Sequence, residues 1–242
     1  MLQAALNGAR GTGEHPALPI TPDQLAADAR AVRAAGAQAL HVHPRDARGA
    51  ESLLAGVVAP ALVAIRAAAP GMPVGVSTGE WIESDPERLL ARVRSWGELS
   101  APERPEYASV NLGEAGALGV MAALSTAGIG IEAGVATPAE VSVLASSPFA
   151  GTVTRVLVEP TEPDPAAAVA LAEAIEGLLV GADIAAARLH HGFGPATWAV
   201  VAAAGRRGLD VRVGLEDVLT LPDGTRAAGN AALVAALGVQ PG

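Results

Sequence analysis

The chain has 242 residues, half of them apolar but only 2% aromatic, and a formal net charge of −9. That acidic balance argues against a nucleic-acid or anionic-membrane partner, and no apolar run is long enough to span a membrane. There is no cysteine and all 16 basic residues are arginine, which excludes a thiolate nucleophile, sulfur-ligated zinc, a disulfide and any lysine Schiff base.

The first predicted strand, residues 2–6, runs into Asn7. This N-terminal stretch has neither a positive n-region nor a long apolar h-region, so a cytoplasmic location is the expectation. Gly11-Thr12-Gly13 approaches a dinucleotide loop, but Pro16 and Pro19 interrupt the helix that should follow. The first helix is well marked instead: Thr21 as N-cap, Pro22 at the first helical position, Gln24 completing a capping box and Gly36 as terminator. The second strand, 39–42, carries His41 and leads into His43-Pro44-Arg45-Asp46. Alternate strand residues share a face, so two of the five histidines project together as half of a divalent metal site. An isolated H-x-H is more often a packed pair; here the surroundings carry the metal reading.

A helix over 52–69 precedes a strand at 73–76 that ends in Ser77-Thr78-Gly79-Glu80. Ser84-Asp85-Pro86 starts a helix to 96, and the fourth strand, 107–112, carries Ser109 and Asn111. Helices are expected at 115–127, 137–147 and 164–179, with Thr137-Pro138 and Asp164-Pro165 as starts. Strands at 130–133 and 153–158 deliver Glu132 and Glu159, and the strand at 186–190 ends in His190-His191-Gly192. After a helix at 195–206, the strand at 211–214 supplies Arg212 and is followed by Glu216-Asp217; a last helix covers 228–237. Eight strands alternating with eight helices give a single-domain (β/α)8 TIM barrel over 1–242. An open doubly wound sheet competes, but it lacks its glycine fingerprint.

In such a barrel the strand C-termini form the active face, and nearly every strand here delivers a polar residue to it. A catalytic metal needs a third protein ligand besides His41 and His43, with Glu216, Glu132, Glu159, His190 and His191 as candidates. Closure of the barrel brings strand 8 near strand 2, which favours Glu216. Asp217 beside it could pair with Arg212 and act as a base, or simply cap a short helix. Amidohydrolase-type enzymes also start from H-x-H, but they need histidines on middle strands, and none lies between His43 and His190. Without lysine, carbon–carbon chemistry needs a metal to hold the electrons.

These residues resemble the β-keto acid cleavage enzymes, of which the 3-keto-5-aminohexanoate cleavage enzyme is the named example. The resemblance spans most of the chain, through Leu18-Pro19-Ile20-Thr21-Pro22, His41-Val42-His43-Pro44-Arg45-Asp46, Val76-Ser77-Thr78-Gly79, Ala108-Ser109-Val110-Asn111, Thr197-Trp198-Ala199-Val200, Arg212-Val213-Gly214-Leu215-Glu216-Asp217 and Asn230-Ala231-Ala232-Leu233-Val234. It implies a zinc-bearing barrel with His41, His43 and Glu216 as ligands and Asp217, oriented by Arg212, as the base. It also implies Ser77 and Ser109 on the substrate carboxylate, with Asn111 and Glu132 lining the same pocket. The family condenses a β-keto acid with acetyl-CoA and releases acetoacetate and a new acyl-CoA by a retro-Claisen step.

Three departures bear on substrate and assembly. Where the family has Gly-Ala-Glu, this chain reads Gly8-Ala9-Arg10, with Glu14 in the following loop; Arg10 is expected to meet a neutral or anionic substrate tail. The loop after strand 6, Glu159-Pro160-Thr161-Glu162-Pro163-Asp164, adds carboxylates that would repel a CoA phosphate arriving there. The family's usual C-terminal extension is absent from this sequence. The leading expectation is a zinc-dependent, acetyl-CoA-using homo-oligomeric enzyme; the alternatives are a CoA-independent metal lyase or hydrolase on a small oxo-acid, or a non-catalytic barrel that binds a metal or small acid.

Overall fold

A computed structural model describes residues 1–238. Its eight parallel strands are β1 (Leu2–Ala5), β2 (Ala39–Val42), β3 (Val74–Ser77), β4 (Tyr107–Asn111), β5 (Gly130–Val135), β6 (Arg155–Val158), β7 (Ala187–His190) and β8 (Asp210–Val213). They close in sequence order, with Leu2, Gln3 and Ala4 of β1 facing Val211, Arg212 and Val213 of β8. The connecting helices are α1 (Pro22–Ala34), α2 (Ala55–Ala68), α3 (Pro86–Ser95), α4 (Ala117–Thr126), α5 (Pro138–Ser146), α6 (Pro165–Gly181), α7 (Thr197–Arg206) and α8 (Asn230–Ala235). This is the expected (β/α)8 barrel.

The caps read from the sequence explain where the helices begin. Thr21 accepts from the Gln24 N–H at 3.3 Å while the Gln24 side chain accepts from the Thr21 N–H at 3.0 Å, a reciprocal capping box with Pro22 inside it. Asp85 and Asp164 cap α3 and α6 one way only, accepting from the Arg88 and Ala167 N–H groups at 2.9 and 2.8 Å, each ahead of a proline. The apolar core lies between the outer faces of the strands and the helices. Leu40, Val42, Val74 and Val76 meet residues such as Leu25, Val32, Leu62 and Ile65, all fully buried. Leu25, Ala29 and Val32 recur at helical spacing, which gives α1 one buried face. Burying each Leu or Val of this layer contributes about 1.5–3 kcal/mol.

The barrel interior is polar. Gln3 donates to Tyr107 Oη at 3.0 Å and to Glu132 Oε2 at 2.9 Å, while Arg155 approaches Glu132 at 3.4 Å and lies over the Tyr107 ring. Tyr107 fits because β3 offers Gly75 opposite it: a Cβ there would sit 2.0 Å from a ring carbon. No helix among the described residues is long and apolar enough to cross a membrane.

Candidate metal and substrate site

A cavity of about 560 Å³ opens at the C-terminal ends of the strands, within the size range of small-molecule sites. His41, His43, Arg212 and Glu216 lie along one side of it, with Ser77, Ser109 and Asn111 in its wall. Asn7 fastens β1 to the histidine segment: it accepts from the His43 N–H at 2.8 Å and donates to the His43 carbonyl at 2.9 Å. Asn230 does the same for the acidic segment, accepting from Leu215 N–H at 2.6 Å and donating to the Leu6 carbonyl at 2.8 Å. Gly8 stands in the left-handed region at φ +54°, and a Cβ on it would lie 2.3 Å from Glu216 Cγ. Glycine here leaves the space that the Glu216 side chain occupies.

Three donor groups converge. His41 Nε2 is 2.9 Å from His43 Nε2, Glu216 Oε2 is 3.7 Å from His41 Nε2, and Glu216 Oε1 is 3.6 Å from His43 Nε2. Donors held tetrahedrally by bonds of ~2.0–2.2 Å lie roughly 3.3–3.6 Å apart, so this triangle fits a divalent ion with small adjustments. Glu216 Oε2 is buried without a hydrogen-bond partner, a cost that a cation would remove. Of the five candidate third ligands, only Glu216 joins the histidine pair. His190 points outward to Glu176 at 3.2 Å, and Glu132, Glu159 and His191 are engaged elsewhere.

Charge is balanced tightly around the triangle. Burial pushes the His41 imidazole well below its usual pKa. Burial acts on His43 in the same direction, yet the carboxylates of Glu216 and Glu51 outweigh it and raise His43 to about 9. Burial works against ionised Glu216 as well, but Arg212 and the two histidines hold it well below the carboxylate range. Arg212 is itself buried and is kept charged by Asp217 and then Glu216.

Arg212 Nη2 donates to Asp217 Oδ1 at 2.8 Å and also contacts Glu216, while Nε reaches Asp217 Oδ2 at 3.3 Å. Asp217 is completely buried, and it is Arg212 and Glu216 that face the cavity. On the other side of Asp217 stands His191, with Nδ1 3.1 Å from Oδ1 and Nε2 3.3 Å from Glu159 Oε2. Burial and Arg212 disfavour the charged His191 ring, but Asp217 and Glu159 together raise its pKa. Glu159 lies in the cavity wall, so a carboxylate–imidazole–carboxylate chain links buried Asp217 to the site.

The other expected residues divide. Ser77 and Ser109 are register partners on β3 and β4 and both line the cavity. Asn111 lines it while donating to Glu114 at 2.9 Å. Arg10 is at the rim, but its guanidinium contacts the Leu215 carbonyl and pairs with Glu14 at 3.0 Å, so its charge is matched rather than free. Glu132 departs from expectation: it is not in the cavity wall but deeper in the barrel, held by Gln3 and Arg155. It precedes Gly134 by two residues on the same strand face, and it is at Gly134 that a Cβ would meet the cavity-lining Glu159 and Asn111. Sequence reading missed Glu51 and Trp81, which contact His43 from the β2 and β3 loops; loops carry no periodicity to reveal such contacts. Burial of Asp217 was equally invisible.

A sequence model for the beta-keto acid cleavage enzyme family matches residues 1–148 and 143–239. Among solved structures, ObcA bound to oxaloacetate superposes with a TM-score of 0.73 at 19% identity, covering 92% of this chain and 63% of that one. The ternary complex of ObcA with a C4-CoA adduct and oxalate gives 0.74 at 20% identity with the same coverage. Type I 3-dehydroquinate dehydratase from Clostridium difficile gives 0.61 at 10% identity, covering 98% of this chain and 90% of that one. At these identities the structural likeness shows the shared barrel, and this chain spans less than two thirds of the ObcA chains. The family match runs through both the His41–His43 segment at the end of β2 and the Arg212–Asp217 segment that begins on β8. The chain belongs to the β-keto acid cleavage enzyme family.

Proposed function

We propose that this protein is a metal-dependent enzyme that cleaves a β-keto acid with acetyl-CoA, yielding acetoacetate and a new acyl-CoA. The observation that carries this reading is the His41–His43–Glu216 triangle beside the Arg212–Asp217 pair in one cavity. The complexes of ObcA with oxaloacetate and with a C4-CoA adduct add support from the same fold. His41, His43 and Glu216 would hold the ion, zinc by the nitrogen and carboxylate donor set, and it would supply Lewis-acid polarisation of the substrate ketone.

The remaining steps belong to side chains. Ser77 and Ser109 receive the substrate carboxylate with hydroxyl donors, and Asn111 adds its amide. Asp217 receives the proton that leaves C2 of the keto acid, relayed from cavity-wall Glu159 through His191, while Arg212 holds its carboxylate in place. The C2 carbanion attacks the thioester carbonyl of acetyl-CoA and expels the CoA thiolate. That thiolate then adds to the original ketone, the C–C bond to C2 breaks, and the proton returns to C2 to give acetoacetate. The Arg10–Glu14 pair makes its wall polar and nearly neutral, which suits a neutral substrate tail.

A second reading within the same scaffold has its own support. Glu114, Glu140 and Glu159 all line the cavity, and such an acidic wall disfavours CoA phosphates, so a CoA-independent lyase acting on a small oxo-acid is the alternative. The test is metal analysis of the purified protein together with a β-keto acid panel, with and without acetyl-CoA. We expect acetoacetate and a new acyl-CoA only when acetyl-CoA is present, and loss of both metal and turnover in His41→Ala/His43→Ala. Turnover without acetyl-CoA would favour the alternative, and a fully active double variant would reject the site.

A further inference from the structure

The two histidines of the triangle are supported unequally. His41 Nδ1 is buried with no hydrogen-bond partner. His43 Nδ1, in contrast, is in hydrogen-bond contact with Glu51 Oε1. Glu51 returns to His43 because the chain folds back on itself after β2: Arg45 and Glu51 form an antiparallel bridge, and Asp46 N–H donates to the Ala50 carbonyl at 2.8 Å.

Glu51 is fixed in turn from the neighbouring loop. Trp81 Nε1 donates to both of its carboxylate oxygens, at 3.1 and 3.3 Å. The indole also stacks on the His43 ring, with centroids 6.4 Å apart and planes 23° from parallel. Trp81 is about half exposed, at 52%, and its open part forms cavity wall.

An imidazole ligates through one nitrogen, and a carboxylate on the other fixes both the tautomer and the ring orientation. We propose that Glu51 and Trp81 form the outer support of the metal ligand His43. Glu51 keeps the proton on Nδ1, so that the Nε2 lone pair faces His41 and Glu216, and Trp81 holds Glu51 in that position. Both are positioning residues, and the inference rests on the metal reading above. Because Trp81 also forms cavity wall, a substrate group pressed against the indole would bear on the same ligand.

The experiment is zinc titration of the metal-free protein in competition with a chromophoric chelator, for wild type, Glu51→Ala, Glu51→Gln, Trp81→Phe and Glu51→Ala/Trp81→Phe. Thermal melts of the metal-free forms serve as the folding control. Glu51→Ala should weaken zinc binding by about 10–100-fold, with Glu51→Gln falling between it and wild type. Trp81→Phe keeps the stacked ring but loses the N–H, and should weaken binding by roughly 3–5-fold. In the Glu51→Ala background the Trp81→Phe change should have no further effect, since the indole N–H has lost its acceptor. Wild-type zinc affinity in folded Glu51→Ala, or an undiminished Trp81→Phe effect in the double variant, would overturn the inference. Failure of wild type to bind one zinc would instead overturn the metal reading, and this support role with it.

Discussion

Asp28 offers a quantitative test of how the site is fastened. It lies on α1, half-buried, and accepts from Asn230 Nδ2 at 2.6 Å; Asn230 is the residue that ties Leu6 and Leu215 together. Burial pushes the Asp28 carboxyl up to about 6, against an ordinary value of 3.8, and the Asn230 amide only partly offsets it. Since the folded form holds the proton more tightly, ionisation opposes folding. The penalty is absent below pH 3.8, grows as pH rises between 3.8 and 6, and is complete above that. A gap of about two units at ~1.4 kcal/mol each sets a ceiling near 3 kcal/mol; water at a half-buried group reduces it to roughly 1–2 kcal/mol. Asp28→Asn keeps an acceptor for Asn230 and removes the charge. At pH 8 it should raise the melting temperature by about 3–6 °C, given ~2–4 °C per kcal/mol for a chain of this size. At pH 4 the two melting temperatures should coincide. A gain of equal size at both pH values, or a loss at pH 8, would refute the argument that a desolvated carboxylate is the cause.

Three further outcomes follow from individual contacts. Asp217→Asn should lower kcat by about 10²–10⁴-fold and stop deuterium exchange at C2 of the keto acid; exchange that survives in Asp217→Asn but disappears in Glu159→Gln would move the base to Glu159. Gly75→Ala places a Cβ 2.0 Å from the Tyr107 ring, and such overpacking should cost about 1–3 kcal/mol, seen as a lower midpoint in urea with unchanged substrate KM. Glu132→Ala leaves the largely buried Arg155 without its carboxylate and should destabilise by about 3–5 kcal/mol in the same assay, again with KM near wild type because Glu132 is not in the cavity wall.

The barrel was legible because eight short apolar strands alternate with eight helical runs. Leu40, Val42, Val74 and Val76 mark outer faces, while the same strands turn His41 and Gly75 inward, and capping residues separate each strand from its helix. Several boundaries shifted by one to three residues; β6, for one, starts at Arg155 rather than 153, after the Phe149–Val153 turn satisfies its own backbone groups. Alternation reports the face a residue takes but not its depth along the barrel axis, which depends on strand stagger. That is why Glu132 read as a pocket residue although it belongs to the layer beneath. Burial of Asp217 has a related origin, since the turn after β8 aims Glu216 at the histidines and Asp217 at His191. The contact of Glu51 with His43 depends on a loop folding back, and no spacing rule encodes that.

The polar interior and the cavity form one electrostatic unit joined by Arg212. Its guanidinium touches Glu216 on the histidine side and Asp217 on the other, and its charge, with that of Arg155, partly offsets the burial that raises the Glu132 carboxyl below. A buried arginine with its carboxylate partners is expensive to desolvate and would be a poor choice for stability alone. Its place is better explained by what it offsets: without that positive charge, Glu216 and Asp217 would be adjacent buried carboxylates with no cation between them. Against the burial of Glu216, Arg212 helps hold that carboxyl well below the usual range, while its paired hydrogen bonds fix Asp217 in place. Thus the residue that joins the deep polar layer to the rim also allows two neighbouring acids to do different work.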